Sequence, residues 1–251
     1  SSQCLMLTGN LATTKNQHPI NSEPGVLTLG RTRGVAEQFS ALVAKHVRTE
    51  VALEANSYTH SLNNNEHLDA YRAIFIIIDS PQALEENLAR VEKLRDDNLA
   101  PIICAVITGR GTYNKIKYFL AGADFCIKLN TLCDESSESL ADFFNSEEWQ
   151  RDINLVLDPT RICLSGTSKK LDISFAEMKI LEAFAQNSNH ILSHDEIASI
   201  MGLNTNFYDP RALEKSISRL RGKIKDTYGA NAIQSIRGYG YRLMRGLIST
   251  P

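Results

Sequence analysis

A basic stretch near the carboxyl end, RALEKSISRLRGKI (residues 211–224), decides how this part of the chain folds. At about 100° per residue, Leu213, Ile217, Leu220 and Ile224 fall on one side of a helix, which is the apolar stripe that packs on a core. The opposite side is polar and largely cationic. Its members are Arg211, Lys215, Ser218, Arg219 and Gly222. The pattern predicts an amphipathic helix that offers positive charge to solvent.

The segment IRGYGYRL (residues 236–243) follows this helix and predicts a hairpin, because strand-like residues flank the tight turn Arg237-Gly238-Tyr239-Gly240. A helix that exposes cations beside a hairpin tipped by Arg and Tyr suits a DNA major groove with its flanking phosphates or minor groove. An ordinary solvated helix would show the same charge distribution. The hairpin is therefore the observation that favours DNA binding.

The charge of the chain is unevenly distributed, although the net charge is only −2. Residues 211–245 hold nine Lys and Arg against two acidic residues, a net +7, whereas the rest holds 18 basic and 27 acidic residues, a net −9. An acidic body with a basic end indicates a polyanionic partner for one part of the chain.

Length and composition limit the remaining possibilities. A chain of 251 residues with 43% hydrophobic residues fits one large domain or two modest domains with ordinary cores. The five cysteines form no C-x-x-C pair, which is typical of reduced packing residues. No apolar run approaches the roughly 18 residues that span a bilayer, and we expect a soluble, cytoplasmic protein.

The first half of the chain alternates apolar runs with helical patterns from Val26 onwards, which indicates strand–helix units around a parallel sheet. The near-continuous apolar runs at 73–78 and 101–107 predict central strands that are covered on both faces. Further strands are predicted at 26–29, 50–53 and 125–129, and helices at 35–46, 83–95 and 113–121. The predicted fold class is a five-stranded parallel α/β domain followed by a smaller α+β domain.

We predict four segments along the chain. They are an N-terminal extension at 1–24, with residues 4–7 strand-like, the α/β domain at 25–145, an acidic linker at 146–152 and a second domain at 153–246. In the second domain, strand-like pieces precede three helices. Ser174 with Glu177, and Ser193 with Glu196, have the spacing of capping boxes that begin the first two of these helices.

The two basic segments resemble the recognition helix and wing of the OmpR/PhoB winged helix-turn-helix family. The likeness includes LDISFAE (171–177), which is similar to that family's L-T-x-x-E entry into its first helix, and it covers about Ile153 to Arg245. It implies a small antiparallel sheet, three helices and a C-terminal hairpin. It also implies double-stranded DNA as partner, a homodimer, and a loop, Leu203 to Asp209, that touches RNA polymerase.

Nine residues are implied as DNA-binding by this resemblance. They are Arg211, Lys215, Ser218, Arg219, Arg221, Lys223, Arg237, Tyr239 and Arg242. Arg219 is the best suited to a bidentate guanine contact, Arg221 would reach the flanking phosphates, and Arg237 would enter the adjacent minor groove. Lys223 and Arg242 would neutralise phosphates or serve solubility only.

The first domain resembles a response-regulator receiver domain over Val26 to Leu140, through the strings FIIID (75–79), VITGR (106–110) and GADFCIK (122–128). An active receiver needs carboxylates after its first strand for Mg²⁺, an Asp to accept the phosphoryl group, a Thr or Ser to bind it, and a Lys to pair with it. Asp79 and Thr108 match this pattern. The resemblance implies dimerisation through residues 113–121 and the following strand and helix.

Other positions depart from the receiver pattern. Gly30 and Arg31 stand where the acidic pair is expected, and Arg31 would repel Mg²⁺. Lys128 comes six residues after Gly122 instead of seven, and a slip of one residue turns a strand side chain to the other face. Cys126 occupies the place of the switch aromatic. One further hypothesis is that Arg31 pairs with Asp79 and imitates a neutralised site.

We therefore predict a DNA-binding transcription regulator that is independent of phosphorylation. Asp79, Thr108 and Lys128 are interpreted as a vestigial phosphoacceptor site, and we expect no catalytic residue, no metal and no cofactor. A conventional response regulator phosphorylated on Asp79 is the alternative, and an adaptor whose winged domain binds only protein is a third hypothesis.

Overall fold

The computed structural model describes residues 25–52, 68–133 and 137–251. The predicted N-terminal extension, with its strand-like residues 4–7, lies outside the described residues. The chain folds as a five-stranded, all-parallel α/β domain followed by a winged-helix domain, so the predicted fold class is confirmed.

The sheet of the first domain has the strand order β2-β1-β3-β4-β5, with every neighbouring pair parallel. Its strands are β1 (Val26–Leu29), β2 (Thr49–Ala52), β3 (Ala73–Ile78), β4 (Ile102–Thr108) and β5 (Phe125–Leu129). All six residues of β3 are buried, as expected for a central strand with both faces covered.

Helices cover both faces of this sheet. They are α1 (Arg33–Val43), α2 (Leu84–Asp97), α3 (Lys115–Ala121), α4 (Ser137–Asn145) and α5 (Glu147–Gln150), with a 3₁₀ turn at Leu68–Ala70. One core includes Phe39, Phe75 and Phe143, whereas the core on the other face includes Ile76 and Tyr118. The carboxyl ends of the strands, where receiver chemistry would lie, stay at one edge of the sheet.

The predicted linker is partly helical. The Ser146 hydroxyl accepts a hydrogen bond from the Trp149 amide and begins α5. The Trp149 ring packs on Phe143 and Phe144, and the Arg72 guanidinium lies 3.9 Å from the centroid of the indole ring. Because Trp149 is buried in the first core, α5 is fixed to the first domain.

The second domain combines two small sheets with three helices. One sheet has the order β12-β6-β7-β8, formed by β6 (Leu155–Asp158), β7 (Cys163–Ser165), β8 (Lys170–Asp172) and β12 (Ile248–Ser249). The other has the order β10-β11-β9, formed by β9 (Ile191–Ser193), β10 (Ile233–Ile236) and β11 (Gly240–Leu243). The helices are α6 (Phe175–Gln186), α7 (His194–Ile200) and α8 (Pro210–Tyr228).

Local signals correctly located the helix starts of this domain, because both predicted capping boxes are present, at Ser174 and Ser193. The sequence did not predict β9 or β12. Both are short, and each depends on pairing with a strand distant in sequence, β11 for β9 and β6 for β12. Leu247 and Ile248 belong to the core of the second domain, so the packed unit continues past residue 246.

Candidate nucleic-acid interface

The long helix α8 has the two faces that the sequence predicts. The Asp209 side chain accepts a hydrogen bond from the Arg211 amide at its start, and Gly229, with a φ of 73°, ends it in the left-handed conformation. The apolar stripe packs into the core of the second domain. Its residues are Leu213, Ile217, Leu220 and Ile224, all buried.

The outer face of α8 carries the predicted cations. Arg211, Lys215, Ser218 and Arg219 are all exposed. Within the residues that the structure describes, the charged groups of Arg211, Lys215 and Arg219 form no ion pair. Their charge is therefore directed to solvent, the arrangement needed to meet a phosphate backbone or a base edge.

Two other cations of α8 are engaged with their own domain. Lys223 Nζ lies 2.6 Å from Glu177 Oε1. Burial alone would raise the pKa of Glu177, but the hydrogen bond from Lys223 lowers it. Arg221 is half-buried and donates to Ser235 Oγ on β10 at 3.4 Å. Both side chains connect α8 to its neighbours, so they differ from the freely exposed cations.

The prediction that Arg242 neutralises DNA phosphates is wrong in this structure. Its side chain is buried on β11, where its Nη1 and Nη2 donate to Glu148 Oε1 and Oε2 at 3.2 and 3.0 Å. Nη2 also donates to Gln234 Oε1 at 2.7 Å. Because the guanidinium is surrounded by its own protein, it faces the junction with the first domain and not solvent.

The wing is the hairpin formed by β10, β11 and the turn that joins them. Arg237 and Gly238 are exposed at its tip, and Gly238 has a φ of 80°, which favours glycine in this turn. Tyr239 is half-buried, and burial raises the pKa of its hydroxyl. Arg237 therefore has the exposure expected of a groove-facing residue, whereas Tyr239 packs inward.

The wing packs on helix α3 of the first domain. Phe119 of α3 forms a small apolar cluster with Ile191 of β9 and Ile236 of β10, and Tyr239 packs against the cluster. Cys126 also contacts it, and burial raises the pKa of this thiol to about 12. The α3 surface expected to form a dimer interface is thus covered, at least in part, by the chain's own second domain.

A buried ionic group lies beside this apolar cluster. Arg245 Nε donates to Asp124 Oδ1 at 2.8 Å, and both side chains are almost completely inaccessible to solvent. Arg245 also donates to the carbonyl oxygens of Leu99 and Ser188, each at 2.8 Å. Two of its nitrogens are therefore bonded to the first domain, at Asp124 and Leu99, and the third is bonded to Ser188 of its own domain.

Asp124 is held by a second cation from its own domain. Arg95 Nη2 donates to Asp124 Oδ2 at 2.7 Å, and its other nitrogens donate to the carbonyl oxygens of Gly122, Asn98 and Pro101. Burial alone would raise the pKa of Asp124, but Arg245 and Arg95 lower it to about 2. Asp124 is thus a permanent anion between two guanidinium groups.

No local pattern in the sequence indicates this junction. Glu148 lies in the predicted acidic linker, and Arg245 lies at the end of the basic segment. The pairing of Arg242 with Glu148 spans 94 residues, and that of Arg245 with Asp124 spans 121. Asp124 lies within the string GADFCIK that resembles a receiver, but the sequence assigns it no role.

The residues that the sequence predicts as a vestigial phosphoacceptor site lie at the carboxyl edge of the parallel sheet. Asp79 follows β3 and is exposed, and Thr108 Oγ1 donates to the Ile78 carbonyl at 3.4 Å. Lys128 Nζ donates to the carbonyl of Gly111 at 3.1 Å and lies 6.0 Å from the centroid of the Tyr113 ring. The lysine ammonium is thus bound to the loop before α3.

The hypothesis that Arg31 pairs with Asp79 is wrong. Arg31 Nη2 lies 2.8 Å from Glu86 Oε1 at the start of α2, where the Arg31 side chain is partly exposed and that of Glu86 is largely exposed. In the described ranges, no group of three or more His, Cys, Asp or Glu side chains is placed to hold a metal ion.

Gly30 lies where an acidic residue of a receiver would stand, and the local packing leaves no room for a side chain. A Cβ added to Gly30 would be 2.9 Å from the backbone nitrogen of Ala36 and 3.0 Å from its Cβ. Real Cβ atoms essentially never approach other atoms so closely. The start of α1 is therefore packed against the end of β1 in a way that requires glycine.

The structure thus joins a parallel α/β domain to a winged-helix domain whose long helix exposes cations. Residues 168–243 match the family model described as "Transcriptional regulatory protein, C terminal". This part of the chain is therefore similar to the C-terminal part of transcriptional regulatory proteins.

Known proteins resemble the chain over most of its length. The heme response regulator HssR of Staphylococcus epidermidis is 24% identical over 208 residues, which cover 80% of this chain and 91% of HssR. The virulence transcriptional regulatory protein PhoP of Salmonella choleraesuis is 22% identical over 204 residues, with coverages of 77% and 84%. Among solved structures, the response regulator DrrB of Thermotoga maritima, an OmpR/PhoB homologue, is 16% identical with a TM-score of 0.36, covering 89% of this chain and 100% of DrrB.

None of the helices in the described part of the chain is long and apolar enough to cross a membrane.

Proposed function

We propose that this protein is a sequence-specific, DNA-binding transcription regulator that works without phosphorylation of Asp79. The observation that carries the DNA-binding part is the row of exposed, unpaired cations on α8, with Arg237 at the tip of the neighbouring wing. In this arrangement α8 enters a major groove, and Arg237 reaches the adjacent minor groove.

The side chains on the outer face of α8 divide between two tasks. Arg219 reads a base by the bidentate contact that a guanidinium makes with guanine. Arg211 and Lys215 contact bases or phosphates, and Ser218 is small enough to let the helix approach the base edges. Arg221 and Lys223, which bond to their own domain, contribute to the orientation of α8 and to the local positive potential.

DNA binding is tested by selecting a duplex from a randomised pool with the intact protein and measuring its affinity for variants. Arg219→Ala is expected to weaken binding to the selected duplex by about ten- to a hundredfold, the cost of about 1–3 kcal/mol for a lost bidentate contact, and to relax base preference at one position. The matched control is Arg161→Ala, which removes an exposed arginine from the same domain outside α8 and the wing. An equal effect of both changes would argue against direct base reading by Arg219.

Independence from phosphorylation is supported by the residues at the carboxyl edge of the parallel sheet. We call them the strand-end site; they are Gly30, Arg31, Asp79, Thr108 and Lys128. Gly30 has no space for a metal-binding carboxylate, Arg31 adds a positive charge nearby, and Lys128 is bonded to the carbonyl of Gly111. Mg²⁺ binding sites in proteins rely on carboxylate oxygens, and receiver chemistry relies on that ion to compensate the phosphoryl charge.

This part of the proposal is tested with acetyl phosphate and Mg²⁺, followed by the intact mass of the protein. We expect no added phosphoryl group and no change in DNA affinity. A phosphoryl adduct that disappears in Asp79→Ala would instead establish the alternative, a conventional response regulator.

Two protein partners complete the proposal. Phe207, 87% exposed in the loop from Leu203 to Asp209, is an apolar side chain that fits a contact with RNA polymerase. A homodimer would use a surface other than the part of α3 that Ile191 and Ile236 cover. Light scattering of the free and DNA-bound protein tests the dimer, and Phe207→Ser tests the loop in a transcription assay that also monitors DNA binding.

A further inference from the structure

A cleft of about 670 Å³ lies between the wing and the first domain, where it is lined by α3 and the loop before α3. Residues from both domains line this cleft. They are Thr112, Tyr113, Asn114, Lys115, Ile116 and Phe119 of the first domain and Ser235, Ile236 and Arg237 of the second. The wing tip therefore lies next to the amino-terminal part of α3.

Each domain contributes one exposed cation to the cleft. Lys115 is the first residue of α3, and its Nζ lies 5.5 Å from the centroid of the Phe119 ring. Arg237 is exposed at the wing tip. Neither side chain forms an ion pair with any residue that the structure describes, so the cleft presents two positive charges that the protein itself does not neutralise.

The contacts between the two domains fix the position of Lys115 relative to the wing. Arg245 bonds to Asp124 and Arg242 to Glu148, all with side chains that are essentially buried, and Phe119 packs on Ile236. Breaking these contacts would leave charges buried without partners, which is strongly unfavourable. A ligand that approaches Arg237 therefore also meets α3.

We propose that the DNA-binding surface includes the first domain, and that Lys115 contacts the phosphate backbone beside the groove entered by Arg237. This inference rests on the proposed function, because it uses the same DNA. The duplex is the polyanion for which the unpaired charges of Lys115 and Arg237 are suited, and each neutralised phosphate releases condensed counterions. The receiver-like domain thereby adds affinity without adding base specificity.

The experiment measures the affinity of the full chain for the selected duplex over a series of salt concentrations, by fluorescence anisotropy. Lys115→Gln is expected to reduce the slope of log K against log salt by about 0.9, the value for one phosphate contact, and to weaken binding at low salt without changing base preference. The matched control is Lys93→Gln, which removes an exposed lysine of α2 that does not line the cleft. Lys93→Gln is expected to leave the slope unchanged.

Three results would overturn this inference. A slope that is the same for Lys115→Gln and the parent means that Lys115 touches no phosphate. A tighter affinity of Lys115→Glu means that the α3 contact obstructs DNA instead of binding it. A failure of the intact protein to select any duplex overturns the proposed function together with this inference, whereas the first two results leave the proposed function intact.

Discussion

The strand-end site and the domain junction differ in how far their charged side chains are exposed to solvent. At the strand ends, Arg31 and Glu86 pair with 33% and 59% of their side chains exposed, and Asp79 is open to solvent. At the junction, Arg245 and Asp124 pair with 1% and 0% exposed. Exposed pairs add little to stability, whereas a buried pair becomes costly as soon as one partner is lost.

This difference indicates where the first domain holds buried charged groups that need bonded partners. The edge where receiver chemistry would lie has Gly30 and Arg31 after its first strand, and Lys128 bonds to a carbonyl oxygen. At the junction, by contrast, the donor groups of Arg245 and Arg95 are bonded to Asp124 or to carbonyl oxygens. The first domain is thus bonded to the second one through buried charged groups.

The largest expected effect comes from Arg245→Met, which keeps most of the side-chain volume and removes the charge. Asp124 and the carbonyl groups of Leu99 and Ser188 would lose a donor in a dry environment. We expect the free energy of unfolding to fall by about 3–5 kcal/mol. Urea unfolding followed by the fluorescence of Trp149, the only tryptophan of the chain, measures this change close to the junction. A loss below about 1 kcal/mol, the range of surface pairs, would remove the distinction between the two regions.

The next effect concerns packing at the strand-end site. Gly30→Ala places a methyl group 2.9 Å from the Ala36 nitrogen, and we expect a loss of about 1–3 kcal/mol in the free energy of unfolding. The matched control is Gly34→Ala, where an added Cβ meets nothing within 4 Å inside α1. That change is expected to be neutral or to stabilise by up to about 1 kcal/mol, because alanine favours the helix. Equal effects of the two changes would mean that the β1 end has room for a side chain.

The sequence predicted the features of the fold that depend on local patterns. The apolar stripe of α8, the capping boxes at Ser174 and Ser193, and the buried strand β3 all follow from spacing within one element. The sequence did not show that Arg242 is buried, and it led us to predict that both Arg237 and Arg242 bind DNA. Burial of Arg242 depends on Glu148, which is 94 residues away in the sequence.

The junction also makes stability depend on pH through His190. Burial, together with the positive charge of Arg245, lowers the pKa of this imidazole from 6.5 to about 3, although Asp124 opposes this. The other charged groups that act on the imidazole are Arg95 and Arg242. In the unfolded chain the imidazole takes up its proton near pH 6.5, whereas in the folded protein it does so only near pH 3. The contribution to stability is therefore complete above about pH 6.5 and is lost as the pH falls toward 3.

Urea unfolding at a series of pH values tests this linkage. Between about pH 6 and pH 4, the free energy of unfolding of the parent should fall by up to about 1.4 kcal/mol per pH unit from this one group. His190→Asn removes the titration and retains a residue that tolerates the observed φ of 54°. If the pH dependence of the variant equals that of the parent, His190 is not held neutral at the junction.

The smallest expected effect is that of Arg31→Ala, because this arginine forms an exposed pair with Glu86 and none with Asp79. We expect a change of less than about 1 kcal/mol in the free energy of unfolding, and a smaller one at high salt. Removing this cation also tests whether positive charge alone excludes the metal ion. Because Gly30 still leaves no space for a carboxylate, Arg31→Ala should gain neither Mg²⁺ binding, measured by calorimetry, nor a phosphoryl group from acetyl phosphate. A gain of either would mean that Arg31, and not the packing around Gly30, disables the strand-end site.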